Sequence, residues 1–160
     1  EHTVSPSMDI QIASNFERLI FDISSGSSER TIKLMKDLNE LGEFKIEKSE
    51  LKKIKDNFLA ESLSEEETKS IISETYKNHK ILIDPHTAVG VGVIKKISLE
   101  GNTVVLSTAH PSKFSDVVME ASSVKAELPE NLKNILVGKE NYDKLPKDLE
   151  KVKNYILERV

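Results

Sequence analysis

Cysteine and tryptophan are absent from this chain, and aromatic side chains make up only 5% of its 160 residues. Without cysteine it has no disulfide, no thiolate nucleophile and no thiolate zinc site, a pattern that fits a cytoplasmic protein. Long apolar runs are missing too: none approaches the ~20 residues that a bilayer-spanning helix needs, so no membrane partner is expected. Charge of one sign is also lacking. The 23 Lys and Arg are interleaved with 27 Asp and Glu for a net charge of −4, which leaves no basic stripe to follow a phosphate backbone and excludes nucleic acid as an expected partner. With only 6 glycines, there is neither a Gly-x-Gly-x-x-Gly fingerprint nor a Walker-type loop, and no His-x-x-x-His metal pair is found. Glu65, Glu66 and Glu67 form an acidic run, but successive helical positions point about 100° apart, so they read as a solvated helix start and no metal site is expected.

What is present is a normal globular balance, 38% hydrophobic and 31% charged, which could fill one ordinary domain. The stretch from Lys80 to Val118 is the most informative. An apolar run, Ile81 to Ile83, predicts a strand that stops at Asp84-Pro85, where Asp suits the N-cap and Pro the first helical position. A helix then runs through Val89, Val93, Ile94 and Ile97 to a turn at Leu99-Glu100-Gly101-Asn102. Thr103 to Leu106 predicts a second strand, followed by the polar Ser107, Thr108 and His110, by Pro111, and by a helix capped by Ser112 that continues through Val124. Gly90-Val91-Gly92 inside the first helix points to close packing of helices. The unit reads as strand, helix, strand, helix, an α/β arrangement with parallel strands. Ligands of such sheets bind at the carboxyl ends of the strands, which here carry Asp84, His86 and Thr87 on one side and Ser107, Thr108 and His110 on the other. Each also has a local use as a cap or a loop hydrogen-bonding group. A Ser/His/Asp triad can be drawn among them, but without a nucleophile-elbow motif no hydrolase is expected.

Elsewhere the pattern is helical. Phe16, Leu19, Ile20 and Ile23 share one face, with Ser14 as expected N-cap and Glu17 three residues on. Asn15 and Arg18 fall in that first turn, where N–H groups and the helix dipole favour an anion, although Arg18 also reads as a surface ion-pairing residue. A Ser28-capped helix carries Ile32, Met35, Leu38 and Leu41 and is closed by Gly42. Ser49–Leu59, Ser64–Asn78, Asn131–Leu136 and a last segment opened by Leu145-Pro146 complete the helices. The β-like run Thr3-Val4 at the very start suggests a piece of something longer.

The order SPSMDI, SNFERLIFD, DPHTAVG and STAHPSKF, followed by LPENL and LPKDLEKVKNYI, resembles the C-terminal portion of the threonine synthase family over essentially residues 1–160. The resemblance implies a tryptophan-synthase-β-like (fold type II) scaffold, helix-rich with a few parallel strands. It also implies a pyridoxal 5'-phosphate enzyme that converts O-phospho-L-homoserine and water to L-threonine and phosphate. The family's Schiff-base lysine and its Gly/Asn-rich phosphate loop belong to an N-terminal half that this chain lacks, so no catalytic residue is assigned here. The missing half is the expected partner, and the piece alone is expected to be inactive. Thr108 is similar to the family hydroxyl set against the cofactor's pyridine nitrogen, with Ser107 beside it. Asn15, Arg18 and His110 are the implied substrate contacts, while Asp84 and His86 are expected to fix the strand-to-helix junction. The readings that compete are another enzyme of the same fold, such as a serine or threonine dehydratase, and a non-catalytic α/β binding module.

Overall fold

The structure is a computed structural model and describes residues 3–10, 12–97 and 99–160. Its elements are seven α-helices among the described residues: α1 Ser14–Ile23, α2 Ser28–Leu41, α3 Lys48–Lys55, α4 Glu65–His79, α5 Pro85–Lys96, α6 Ser115–Ser122 and α7 Leu149–Leu157. Short 3-10 helices occupy Pro111–Phe114 and Glu130–Leu136. None of the described helices is long and apolar enough to cross a membrane. The chain divides into two compact units, Glu1–Glu127 and Leu128–Val160.

Most helix starts are set by side chains within a few residues of the terminus. Ser64 accepts from the Glu67 N–H while the Glu67 carboxylate accepts from the Ser64 N–H, a reciprocal box that opens α4. Asp84 caps α5 ahead of Pro85, and Gly42 closes α2 in the left-handed region at φ 77°. Several starts differ from expectation. Ala13, not Ser14, is the N-cap of α1 and offers no side chain; Ser27, not Ser28, caps α2; and α3 begins at Lys48 through a box between Glu47 and Glu50. The helix expected from Ser112 is a four-residue 3-10 turn followed by α6, and its cap is His110.

The larger correction concerns the strands. Residues 81–83 and 103–106 lie outside the helices, yet among the described residues no strand is formed and no ladder joins them. A strand exists only where a second segment supplies complementary N–H and C=O groups, and β-branched composition alone cannot do so. Val104 and Leu106 are 83% and 76% exposed, so this run does not face a core either. The parallel strands expected from sequence are therefore not seen among the described residues, where 81–83 and 103–106 are connectors within a helical unit.

In the first unit α4 packs on α5 and α6, and α1 on α2 and α3. Ile71, Ile72, Ile83 and Ala88 form the buried centre of the former group, with Leu63, Val91, Val117 and Ala121 against them. The Gly-Val-Gly of α5 serves this packing, but against loops: a Cβ on Gly92 would fall 2.1 Å from Leu63 Cδ2, and one on Gly90 3.1 Å from Val105 Cγ1. The α1–α3 group is tied by charge. Arg30 donates from Nε and Nη2 to the two oxygens of Glu50 at 3.0 and 2.9 Å, and the Glu47 N–H adds a third bond at 2.8 Å. Lys53 Nζ reaches the carbonyl of Ile23 at 2.5 Å and so satisfies the end of α1. The second unit is smaller; its α7 starts at Asp148, whose carboxylate accepts from the Lys151 N–H.

The Arg30 hydrogen bonds, followed by that of the Glu47 backbone, hold the buried Glu50 carboxyl at about 2, against an ordinary 4.5. A folded-state value below the unfolded one means that the contribution is complete above pH 4.5 and disappears as the pH falls toward 2. It amounts to about 2–3 kcal/mol. Glu50→Gln is expected to remove this acid-sensitive stability, so that denaturation curves of the variant lose the wild-type slope between those pH values; an unchanged slope would assign it to other carboxylates.

Candidate functional site

The loop after residue 106 is shaped by one imidazole. His110 stands at the N-terminus of the 111–114 turn, its Nδ1 accepting the Ser112 N–H at 3.2 Å with the Ser112 hydroxyl 2.7 Å away. Pro111 supports the same turn at its first position, where no N–H is needed. Beside it lies an open groove of about 450 Å³. Leu82, Ala109, Pro111 and Ala126 give it apolar walls, and Ser107, His110 and Glu127 its polar groups. Thr108 is exposed in the same loop but is not among the residues that line this groove. Among the described residues neither the Ser107 nor the Thr108 hydroxyl bonds to a protein group.

Behind this loop is a buried polar junction. Asp84 is fully buried: its Oδ1 accepts the N–H groups of His86 and Thr87 at 2.9 and 3.3 Å, and its Oδ2 accepts the Thr87 hydroxyl. The carboxylate is thus spent on the first turn of α5, where the helix dipole also favours it. His86 turns the other way. Its Nδ1 shares a hydrogen bond with the Ser5 hydroxyl, 81 residues distant, and its ring meets Phe114 edge-on with centroids 4.7 Å apart. One imidazole therefore joins SPSMDI, DPHTAVG and STAHPSKF. Because Asp84 bonds to backbone and Thr87 and not to the His86 ring, no Ser/His/Asp relay is assembled, and Ser5 is only 1% exposed.

Asn15 and Arg18 are brought together on α1, with Arg18 Nη1 donating to Asn15 Oδ1 at 3.0 Å. Arg18 lines a second open groove of about 720 Å³, together with Ser14, Glu17, Phe21, Asp22, Ser28 and others. Among the described residues Arg18 has no carboxylate within ion-pairing distance, so its charge is offset by none of the neighbouring acids through direct contact. Arg18 and His110 thus line separate grooves. Among the described residues no group of three or more acidic or histidine side chains could hold a metal ion. Sequence reasoning passed over Ser5, Phe114 and Glu127; the first two lie inside the motifs that carry the resemblance, whereas nothing local marks Glu127.

Residues 87–156 match the family model "Threonine synthase, C-terminal". The chain is 34% identical to the threonine synthase of Pseudomonas aeruginosa over 96% of its own length, and 36% identical to that of Saccharomyces cerevisiae over 99%. Along nearly its whole length the chain is similar to threonine synthases. It spans about a third of these relatives, 34% of the first and 36% of the second. Among solved structures it is similar to the PLP-bound threonine synthase of Brucella melitensis, with 38% identity and a TM-score of 0.83 over 98% of this chain and 34% of that one. The threonine synthase family's fold type II scaffold is thereby supported for this chain, with the connectors described above in place of strands.

The Asp84 junction makes a direct prediction. Asp84→Ala leaves three donors without their acceptor and is expected to cost about 2–3 kcal/mol. Asp84→Asn, which still caps but cannot accept from both the backbone and Thr87, should cost about 1 kcal/mol. Urea midpoints at constant slope measure both, and equal losses would contradict the capping account.

Proposed function

We propose that this chain is the C-terminal portion of a pyridoxal-phosphate-dependent threonine synthase that converts O-phospho-L-homoserine and water to L-threonine and phosphate. The observation that carries this reading is the likeness to a PLP-bound threonine synthase along 98% of the chain, while only 34% of that protein is spanned. Residues 1–160 then act as one wall of a larger active site, working with an N-terminal half of the same polypeptide that brings the lysine and the phosphate loop. A cytoplasmic setting is in keeping with the absence of cysteine.

The residues present suit the cofactor. Thr108 and Ser107 offer hydroxyls that no group among the described residues occupies, and a hydroxyl can share a hydrogen bond with a pyridine nitrogen without forcing a proton onto it, as a carboxylate would. When bound, pyridoxal phosphate supplies an electron sink for negative charge developing on substrate carbons, and a ring nitrogen beside a neutral hydroxyl makes that sink a mild one. In this reading Thr108 is the nitrogen's partner and Ser107 orients the ring beside it. Asn15 and Arg18 bind the substrate's phosphate or carboxylate: the guanidinium carries donors in a planar fork, and Asn15 holds one arm of it without neutralising its charge. His110 contacts substrate from the groove beside Ser107.

The test is an assay of the complete polypeptide that carries this chain. Phosphate release from O-phosphohomoserine, with no keto acid formed from serine, is the expected result; the reverse preference would make it a dehydratase-like enzyme. In the same polypeptide Thr108→Ala is expected to lower turnover about tenfold or more, the scale of one well-placed hydrogen bond, while thermal unfolding is unchanged. Wild-type kinetics in that variant would remove Thr108 from the site.

A further inference from the structure

His110 does two things at once, and its two ring nitrogens divide them. Nδ1 receives the Ser112 backbone N–H at 3.2 Å and lies 2.7 Å from the Ser112 hydroxyl. A backbone N–H can only donate, so Nδ1 must present its lone pair; in the neutral ring the proton then resides on Nε2. The hydroxyl, which can donate or accept, is left to donate to the same nitrogen. Among the described residues Nε2 has no protein partner, and His110 lines the groove that also holds Ser107 and Glu127. A neutral imidazole in this state has no basic nitrogen open to a ligand. It can give a hydrogen bond through Nε2–H but cannot take a proton without first releasing the turn that it caps.

We propose that Ser112 holds His110 as its Nε2–H tautomer, and that this N–H binds a negatively charged oxygen of the substrate in the groove beside Ser107. Ser112 is thereby a positioning residue, and His110 is a substrate-binding donor rather than a general base. The identity of the substrate rests on the threonine synthase reading above; the tautomer and the donor role rest on the geometry of 107–114. The carboxylate of Glu127 in the same groove repels an anion, so the seat of such an oxygen depends on the donors of His110 and Ser107.

Asparagine and glutamine separate the two nitrogens. His110→Asn keeps an acceptor for the Ser112 N–H, since Asn is a good N-cap, but has nothing in place of Nε2. His110→Gln keeps a distal N–H donor and loses the cap. The experiment uses the complete polypeptide with its histidines labelled with nitrogen-15; His110→Asn identifies the His110 signals by their loss. At about pH 8.5, above the ordinary imidazole range, wild-type His110 is expected to show a protonated-type Nε2 and a non-protonated-type Nδ1, without tautomer averaging. Adding O-phosphohomoserine should shift Nε2 selectively. In steady-state kinetics His110→Asn is expected to raise KM about tenfold with kcat changed less than about twofold and the pH profile of kcat retained. Ser112→Ala keeps the backbone N–H and loses only the hydroxyl, so the Nε2–H tautomer should persist while the looser ring raises KM a few-fold, and Ser112→Thr should restore KM. An Nδ1–H tautomer, an Nε2 signal indifferent to the phosphoester, a loss confined to kcat in His110→Asn, or wild-type KM in that variant would each overturn the proposal. A polypeptide that releases no phosphate defeats the functional reading instead, and the tautomer with the Nε2 response still decides this one.

Discussion

The hydrogen bonds of Asp84 govern the local order of the first unit. A carboxylate withdrawn from water is costly unless its lone pairs are used, and here two backbone N–H groups and the Thr87 hydroxyl use them. That arrangement settles where α5 begins and which way His86 and Thr87 face, and it seats Ala88 in the core with Ile71, Ile72 and Ile83. From His86 the order passes to Ser5 on one side and to Phe114 on the other. The loop that bears Ser107, Thr108 and His110 is therefore anchored at its far end by a contact that begins at a helix cap.

Two histidines are used in different ways. His86 is buried and makes its contacts inside the protein, which suits a joint between segments. His110 is exposed, caps a turn of only four residues and lines a groove. Similar chemistry serves both, and burial decides between them. The same contrast separates Arg30, whose charge is matched by Glu50 in a bidentate pair, from Arg18, which among the described residues bonds to a neutral amide. A cation already engaged by a carboxylate builds structure, while one left with a neutral neighbour can meet an anionic ligand.

Much of the helical content was legible because capping is local chemistry. Ser64 with Glu67, Asp84 with Pro85, and Gly42 all act within about one turn, and the sequence places them where the helices begin and end. The errors have equally local causes: Ser14 and Ser28 each sit one residue inside the helix they were expected to cap. The candidate site was legible in part. Asn15 and Arg18 lie one helical turn apart and meet as spacing suggests, but no periodicity could foretell that Ser107 and His110 share a groove with Leu82 and Glu127.

By itself the sequence determined several helix termini, among them the starts of α4 and α5 and the end of α2, the order of motifs that carries the resemblance, and the lack of cysteine chemistry in these residues. Only the tertiary structure decided that 81–83 and 103–106 remain unpaired connectors, because a strand requires a second segment and β-branched residues cannot supply one. It also decided that Ser5 answers His86 across 81 residues, and that His110 lines a groove with Ser107. Contacts within a turn are written in neighbouring residues; contacts between distant segments depend on how the whole chain packs, and there the choice between a cap, a joint and a ligand-binding group is made.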